Sequence, residues 1–155
     1  MFNRRDILPP NSKLPYVKYG LAVAQNIPNN VQTDIIYDTI DKQDNTVFSY
    51  NVATGILTIN KSGIYLATGV NICSAVGVGE RDYLFIYNDG IAITVRNIVS
   101  AALGNSGTRL TSTHIFRMLA AGTYKNAYFQ NQGVAINLVA GVNQNFVIVT
   151  RLSDL

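Results

Sequence analysis

Few side chains in this sequence could do acid, base or nucleophilic chemistry. The chain contains one histidine, His114, one cysteine, Cys73, and nine acidic residues spread over several segments. Catalysis needs titratable groups that converge on one place, and no motif of the sequence supplies His114 with a nucleophile. We therefore predict that the chain is not an enzyme. On this interpretation His114 is a structural or surface residue, and Cys73 is a small core or interface residue.

The acidic residues form one cluster in the sequence, made of Asp34, Asp38, Asp41 and Asp44. Calcium takes about six to eight oxygen ligands, and the spacing of these carboxylates is not that of an EF-hand loop. A solvated loop face is the expected arrangement, although three copies of the chain could gather enough carboxylates for a calcium ion. No phosphate-binding glycine loop, zinc-binding cysteine pair or metal-binding histidine helix is present, so we predict no cofactor and no metal site.

The composition indicates a single domain with part of its surface covered. The chain has 155 residues, of which 14% are charged and 48% hydrophobic, whereas an average soluble domain is roughly 25% charged. Its net charge of +3 comes from scattered basic residues, which argues against nucleic-acid binding. The sequence has no apolar run long enough for membrane insertion and no hydrophobic signal region near Met1.

The elements that would position these residues are β-strands. Short runs rich in Val, Ile, Tyr, Phe and Thr recur about every ten residues, which predicts an all-β antiparallel sandwich. Asn88-Asp89-Gly90 is a strong hairpin signal because these residues tolerate positive φ. The predicted strands cover residues 16–25, 31–39, 46–50, 56–60, 63–73, 83–88, 91–97, 108–119, 123–131, 134–139 and 145–152.

Alternation within two of these strands bears on burial and assembly. In residues 63–73 one face is aliphatic, and we predict that it lies in the core: Ile64, Leu66, Val70 and Ile72. In the last strand both faces are apolar, with Phe146 and Ile148 on one and Val147 and Val149 on the other. A sandwich covers only one face of each sheet, so the second cover is predicted to be another copy of the chain.

Tyrosines within the predicted strands suit a subunit interface, because their large rings are apolar and their hydroxyl groups need partners. We predict that five of them line such an interface: Tyr65, Tyr83, Tyr87, Tyr124 and Tyr128. Ordinary packing within one chain is the alternative for each of them.

Residues 1–15 are predicted to form an extended arm ahead of a domain that spans residues 16–155, since prolines remove backbone donors and prevent a helix. The arm is either a loose terminus or a segment that lies on a neighbouring protein. In the second case its contacts with a capsid would come from Arg4, Arg5, Ile7, Leu8, Pro9 and Pro10.

Several segments resemble C1q/TNF-like domains. Residues 54–66, which read Thr-Gly-Ile-Leu-Thr-Ile-Asn-Lys-Ser-Gly-Ile-Tyr-Leu, resemble the central signature of that family. Residues 83–90 resemble the following strand and its turn, residues 115–124 a conserved corner, and residues 145–149 the last strand. The sequence departs from the family at Thr123, where Asp is frequent, and at Val147 and Ile148, where Gly is usual.

The resemblance implies a ten-stranded jelly roll that forms a homotrimer, with one sheet of each subunit around the threefold axis. Trimers of this kind without a stalk are similar to the cement, head-fibre and knob proteins of phage particles. We therefore predict a capsid decoration protein, made in the host cytoplasm and placed on the outer surface of the virion. Its partners would be the major capsid protein or another virion protein.

The alternative is a knob of a tail or head fibre that binds a host surface receptor or glycan. Its contacts would come from the loops predicted at residues 77–82 and 103–109, because binding residues are often carried by loops on a rigid scaffold. A secreted ligand of the TNF or C1q type ranks lower, because the sequence shows no export signal.

Overall fold

The computed structural model describes residues 13–74, 79–101 and 109–155, which fold as an antiparallel β-sandwich without a helix among them. The strands are β1 (Tyr16–Gly20), β2 (Gln25–Ile27), β3 (Thr33–Asp34), β4 (Thr39–Gln43), β5 (Phe48–Asn51), β6 (Ile56–Ile59), β7 (Gly63–Ile72), β8 (Gly79–Asn88), β9 (Ala92–Ala101), β10 (Arg109–Met118), β11 (Thr123–Gln130), β12 (Ile136–Leu138) and β13 (Phe146–Ser153). Within this part of the chain no helix could span a membrane.

Two sheets face each other across the core. Sheet I has the strand order β10-β7-β13-β1-β4, and sheet II has the order β5-β6-β11-β8-β9, with β3 added beside β11. Each sheet thus contains a path of five strands, which confirms the ten-stranded sandwich among the described residues. The short strands β2 and β12 pair with each other at one end. The chain passes from sheet I to sheet II between β7 and β8 and between β10 and β11, and it returns to sheet I between β9 and β10, as in a jelly roll.

The turn between β8 and β9 is the hairpin that its sequence predicts. Gly90 has a φ of 114°, and its backbone N–H donates to the Asn88 Oδ1 atom at 2.9 Å. Positive φ is accessible to glycine at little cost, so this turn can be tight. The two strands then pair without a bulge along ten residues each.

Three predicted boundaries differ from the structure. The strand predicted from residue 16 ends at Gly20, because the Asp38 carboxylate accepts the backbone N–H groups of Ala22 and Val23 at 2.6 and 3.0 Å and turns the chain. Residues 79–82, predicted as part of a loop, belong to β8, while residues 77–78 lie outside the described residues. Of the second predicted loop only Arg109 is described, and it begins β10.

Aromatic rings fill the centre of the sandwich. The rings of Tyr19 and Tyr50 are stacked with their centroids 4.1 Å apart, and the Tyr37 ring packs edge-on to Tyr19 at 5.3 Å. The Tyr37 hydroxyl donates to Asn71 Oδ1 at 3.1 Å and lies 3.2 Å from the Tyr83 hydroxyl. Burial of a hydroxyl is tolerated when it is hydrogen-bonded, so this network lets the core hold polar groups.

Buried amides fix the loops at the end of the sandwich where β1, β7 and β11 finish. Asn145 Nδ2 donates to the carbonyls of Val139 and Ile72 at 2.6 and 3.1 Å, and its Oδ1 accepts the N–H of Ile72 at 2.8 Å. Gln130 Nε2 donates to the Val134 carbonyl at 2.9 Å. The loops are therefore tied to the strands by side chains that have no contact with solvent.

Candidate functional site on the outward face of sheet I

Strand β7 turns the opposite face to the core from the one that its sequence predicts. Tyr65 and Ala67 are fully buried between the sheets, whereas Leu66 and Ile64 point away from sheet II and are partly exposed. The prediction that the aliphatic face of this strand is the core face is therefore wrong, although Val70, one of its four predicted residues, is buried at 3% exposure on the outward side. Ile64 and Leu66 instead begin an aliphatic row on the outside of sheet I.

The reversal has a physical reason on the inward side of β7. The Tyr65 hydroxyl donates to the Lys61 carbonyl, and Asn71 accepts from Tyr37, so both polar groups have partners in the core. Gly69 leaves the space that the Tyr83 ring occupies, since a Cβ atom at this position would overlap that ring. The inward face is therefore shaped for aromatic rings, and aliphatic side chains are left for the other face.

Cross-strand pairing continues the row over four strands of sheet I, from aliphatic residues in β10 and β7 to a threonine in β13 and a tyrosine in β1. Ile115 lies opposite Leu66, Leu66 lies opposite Thr150, and Thr150 lies opposite Tyr16. Ile115 is 65% exposed and Tyr16 is 37% exposed. Because strand neighbours on one face contact each other, these side chains form one continuous surface rather than scattered apolar residues.

Strand β13 contributes to both sides of the sheet, as its sequence predicts. Val147 and Val149 are buried in the core, whereas Phe146 and Ile148 alternate with them on the outward face and are partly exposed. Phe146 lies opposite Val70 of β7. Val70 is only 3% exposed, whereas Phe146 and Ile148 keep exposed area, so the chain covers the apolar centre of the outward face only in part.

Two threonines and Lys18 on this face have polar partners, while the exposed Arg109 and Arg117 of β10 lie on the same face, opposite Ile72 and Ile64. The hydroxyls of Thr68 and Thr113 lie 3.1 Å apart, which is hydrogen-bonding distance. Lys18 Nζ donates to Asp41 Oδ2 at 2.7 Å and to Asn143 Oδ1 at 3.2 Å, and it lies 5.6 Å from the centroid of the Phe146 ring. Covering Lys18 would cost less free energy than covering an unpaired charge, because Lys18 keeps Asp41 and Asn143 as partners.

A second apolar surface lies at the open edge of the sandwich, where β9 of sheet II faces β10 of sheet I. Ile91 at the start of this edge is 74% exposed, and Ile93 is also exposed. The Tyr87 ring is partly buried behind them, with its centroid 5.1 Å from that of Phe116. We call this surface the β9–β10 edge.

Four of the five tyrosines predicted at a subunit interface lie inside one chain. Tyr65, Tyr83, Tyr124 and Tyr128 have 0% exposure. A side chain without exposed surface in the single chain has none left to bury against a second subunit, which corrects the interface role to core packing for these four. Tyr87 is partly exposed at the β9–β10 edge, and its interface role stays a prediction.

His114 is packed as an aromatic ring. Its ring centroid lies 4.3 Å from that of Phe85 and 5.1 Å from that of Phe116. Both ring nitrogens lack hydrogen-bond partners, and burial lowers the pKa of the imidazole from 6.5 to about 4 because the charged form is poorly solvated there. Among the described residues the imidazole is therefore held by ring packing and not by hydrogen bonds.

Cys73 and Arg81 lie together in the core. Arg81 Nη1 donates to Cys73 Sγ at 3.4 Å, and Arg81 Nη2 donates to Gln132 Oε1 at 3.0 Å. Cys73 and Arg81 are both buried. The loop predicted at residues 77–82 therefore does not include Arg81, which is an inward position of β8.

The four clustered aspartates serve separate contacts. Asp34 pairs with Lys125 at 2.6 Å, Asp41 pairs with Lys18, and Asp38 binds the turn after β1. The Thr46 hydroxyl donates to Asp44 at 2.6 Å and lowers the pKa of that carboxyl. The described residues contain no group of three or more His, Cys, Asp or Glu side chains arranged to hold a metal ion.

The arm residues predicted to contact a capsid, Arg4, Arg5, Ile7, Leu8, Pro9 and Pro10, lie outside the described residues, so their role stays a prediction. The domain itself begins close to its last strand, because the Pro15 carbonyl accepts the N–H of Arg151 at 3.0 Å.

Comparison with solved structures shows a C1q/TNF-like fold. Murine APRIL at pH 5.0 superimposes with a TM-score of 0.72 at 12% identity, over 90% of this chain and 100% of that one. Eiger TNF from S. frugiperda gives 0.72 at 8% identity, over 92% and 94%. The globular domain of zebrafish complement 1qA gives 0.66 at 7% identity, over 91% and 99%. No protein-family model and no curated protein matches the sequence.

Proposed function

We propose that three copies of this chain assemble through the outward face of sheet I, and that the trimer is a capsid decoration protein on the outer surface of a phage particle. The observation that carries the assembly is the partly exposed aliphatic row on sheet I. Covering apolar surface stabilises an assembly by roughly 25 cal/mol for each Å² removed from water, before the entropy of association is subtracted.

The two apolar surfaces of the chain favour a closed ring over a symmetric pair. The outward face of sheet I and the β9–β10 edge are different surfaces with different shapes, one a flat sheet face and the other a sandwich edge. When one surface of a subunit contacts the other surface of its neighbour, the contact repeats and closes into a ring if the rotation permits. Three subunits, as the fold resemblance implies, would bury both surfaces in every copy.

A structural or binding role is supported by the chemistry of the described residues. His114 and Cys73 are built into the core, and the clustered aspartates are engaged in separate local contacts. The placement on a virion rests on the sequence, through the small number of charged residues and the proline-containing basic segment ahead of the domain. That segment would bind the major capsid protein.

Light scattering coupled to size exclusion tests the assembly. We expect a mass of three times the chain mass of 16.9 kDa. Ile148→Glu should lower this mass, because an unpaired carboxylate in a covered apolar surface costs several kcal/mol. Val134→Glu is the matched control, since Val134 is 54% exposed on a loop outside sheet I and should leave the mass unchanged. A wild-type monomer, or equal behaviour of the two variants, would refute the interface.

Co-sedimentation with candidate particles tests the location. Deletion of residues 2–15 should leave the oligomeric mass of three chains intact and abolish attachment to capsids. Full attachment of the truncated protein would remove the role proposed for the arm, and attachment to no particle by the intact protein would contradict the decoration function.

A further inference from the structure

Two adjoining cavities open on the outer side of sheet II, between the β8–β9 turn and the corner that joins β10 to β11. Their volumes are about 330 and 250 Å³, and Asn88 and Thr123 line both of them. Ile86 and Lys125, which line the smaller one, alternate along their strands with the inward residues Phe85 and Tyr124. We call the combined cavity the corner groove. It lies on the opposite side of the sandwich from the outward face of sheet I, and two of its lining residues, Gly90 and Ala92, flank Ile91 of the β9–β10 edge.

The walls of the corner groove are held in place by backbone contacts. Ala121 N–H donates to the Ile59 carbonyl at 2.8 Å, Ile59 N–H donates to the Gly122 carbonyl at 2.9 Å, and Ala120 N–H donates to Ser62 Oγ at 3.0 Å. Ala121 has a φ of 66°, a left-handed conformation that a residue with a side chain adopts only when its surroundings impose it. Strained residues of this kind cluster at functional sites, and here the strained residue lines a cavity.

The groove combines aliphatic walls with neutral polar groups. Ile56, Ile86 and Leu119 supply apolar surface, and Leu119 is exposed. Asn88 Oδ1 already accepts the N–H of Gly90, which leaves its NH₂ group as a donor, and Thr123 offers a hydroxyl. Binding sites for small molecules in this size range pair apolar walls with a few placed polar groups in the same way.

The charges around the groove select against two classes of ligand. Asp89 lines one cavity, and the cation that lines the other, Lys125, is paired with Asp34 at 2.6 Å. An anionic ligand would meet the Asp89 carboxylate, and among the described lining residues the one cation, Lys125, already pairs with Asp34. A purely apolar ligand would strip water from Asn88, Asp89 and Thr123 without replacing their hydrogen bonds.

We propose that the corner groove binds an uncharged saccharide unit. A sugar ring presents hydroxyls, which match the amide, hydroxyl and carboxylate groups, and a C–H face, which matches the aliphatic walls. The inference rests on the proposed function in one respect, that a protein on a virion surface contacts glycans of a host. The groove itself belongs to a single chain and does not need the trimer.

Ligand-observed NMR on the full chain tests the proposal, with methyl glycosides of glucose, galactose, mannose and N-acetylglucosamine as neutral probes, and sialic acid and glucose 6-sulfate as anionic probes. We expect at least one neutral glycoside to bind with a Kd on the order of a millimolar, as is usual for a small ligand in a shallow site. The anionic probes should bind at least tenfold more weakly.

Thr123→Val and Asp89→Ala should each weaken that binding at least tenfold. Thr54→Val is the matched control, since Thr54 is exposed on the turn between β5 and β6 and does not line the groove. Equal affinity in Thr123→Val and Thr54→Val, absence of neutral-glycoside binding at tens of millimolar, or preference for the anionic probes would overturn the proposal.

Light scattering on the same samples separates this inference from the proposed function. A trimer that binds no glycoside contradicts the groove and leaves the assembly standing. A monomer that binds a neutral glycoside supports the groove and contradicts the assembly.

Discussion

The two faces of sheet I are built from the same strands and differ in how far the rest of the chain covers them. On the inward face, Tyr19 and Val149 are buried by residues of the same chain. On the outward face, Tyr16 and Ile148 belong to the same two strands and stay partly exposed. The inward face includes Tyr65, whose hydroxyl is hydrogen-bonded, and Tyr19, whose hydroxyl has no partner among the described residues, whereas the outward residues Ile64, Leu66 and Val70 of β7 are aliphatic. Apolar character alone therefore does not identify the core of this chain.

The comparison shows that in β7 the face buried within the chain is not the more aliphatic one. The inside of a chain can accommodate polar groups when neighbouring residues supply hydrogen-bond partners, as Asn71 does for Tyr37. An interface between copies is simpler to build from aliphatic side chains, which need shape but no partner atoms. The more hydrophobic face can then be the one that points outward.

The largest expected effect comes from two tyrosines of β1 that lie on opposite faces. Tyr19→Ala removes the ring stacked on Tyr50 and should cost about 3–5 kcal/mol of unfolding free energy, because a cavity remains in the core. Tyr16→Ala is the matched variant and should cost less than about 1 kcal/mol in samples dilute enough to be dissociated. Urea denaturation of both measures the difference, and equal costs would contradict the assignment of the two faces.

A smaller effect separates two neighbours in β13. Val149→Ala should lower the unfolding free energy by about 2 kcal/mol at every protein concentration, because Val149 packs within one chain. Ile148→Ala should lower the thermal midpoint mainly by weakening association, so its effect should shrink as the protein concentration rises. Thermal scans at several concentrations make the comparison, and a concentration-independent loss for Ile148→Ala would place this side chain in the core.

The polar part of the inward face can be tested at Tyr37. Tyr37→Phe removes the hydroxyl that donates to Asn71 and contacts the Tyr83 hydroxyl, and it should cost about 1–2 kcal/mol, since buried partners lose a hydrogen bond. Tyr16→Phe serves as control and should be neutral. A neutral Tyr37→Phe would show that the hydroxyl network does not stabilise the inward face.

The smallest effect is expected at the β9–β10 edge, where inside and outside meet. Burial lowers the pKa of His114 from 6.5 to about 4, so the unfolded chain takes up this proton at higher pH than the folded chain does. The neutral His114 side chain therefore contributes its full stabilisation of the folded chain above pH 6.5. This stabilisation is lost as the pH falls towards 4, because the unfolded chain is protonated first. The part of the ring that reaches solvent reduces the effect.

His114→Phe should remove this component of the pH dependence while leaving the titration of carboxyl groups in place. Urea midpoints of both proteins between pH 7 and pH 4.5 provide the measurement. Parallel curves would show that the imidazole is not the group that responds.

Most of the fold could be predicted from the sequence, because strand and turn signals are local. Asn88-Asp89-Gly90 forms the predicted hairpin, and the alternation in β13 places its four apolar residues correctly on two faces. The strand from Thr39 to Gln43 was missed beyond its first residue, because Asp41, Lys42 and Gln43 carry no apolar signal on an exposed edge.

The candidate site could be predicted only in part, because long-range packing decides which face is inside. β7 shows a clear alternation, but the choice between its faces depends on Gly69 making room for Tyr83 from the other sheet. The interface role predicted for four buried tyrosines rests on residue type alone. Nothing in the local sequence distinguishes a tyrosine that packs within its own chain from one that packs against a second subunit. The corner groove arises where the β8–β9 turn meets a corner some thirty residues further along the chain, so no single segment indicates it.

The hydrogen bond between Pro15 and Arg151 places the first and last described strands side by side, so both ends of the described domain leave the sandwich at the same pole. The loops fixed by Asn145 and Gln130 form the other pole. A surface, resin or fusion partner attached at residue 13 or at Leu155 would therefore hold the described domain with the same loops facing away.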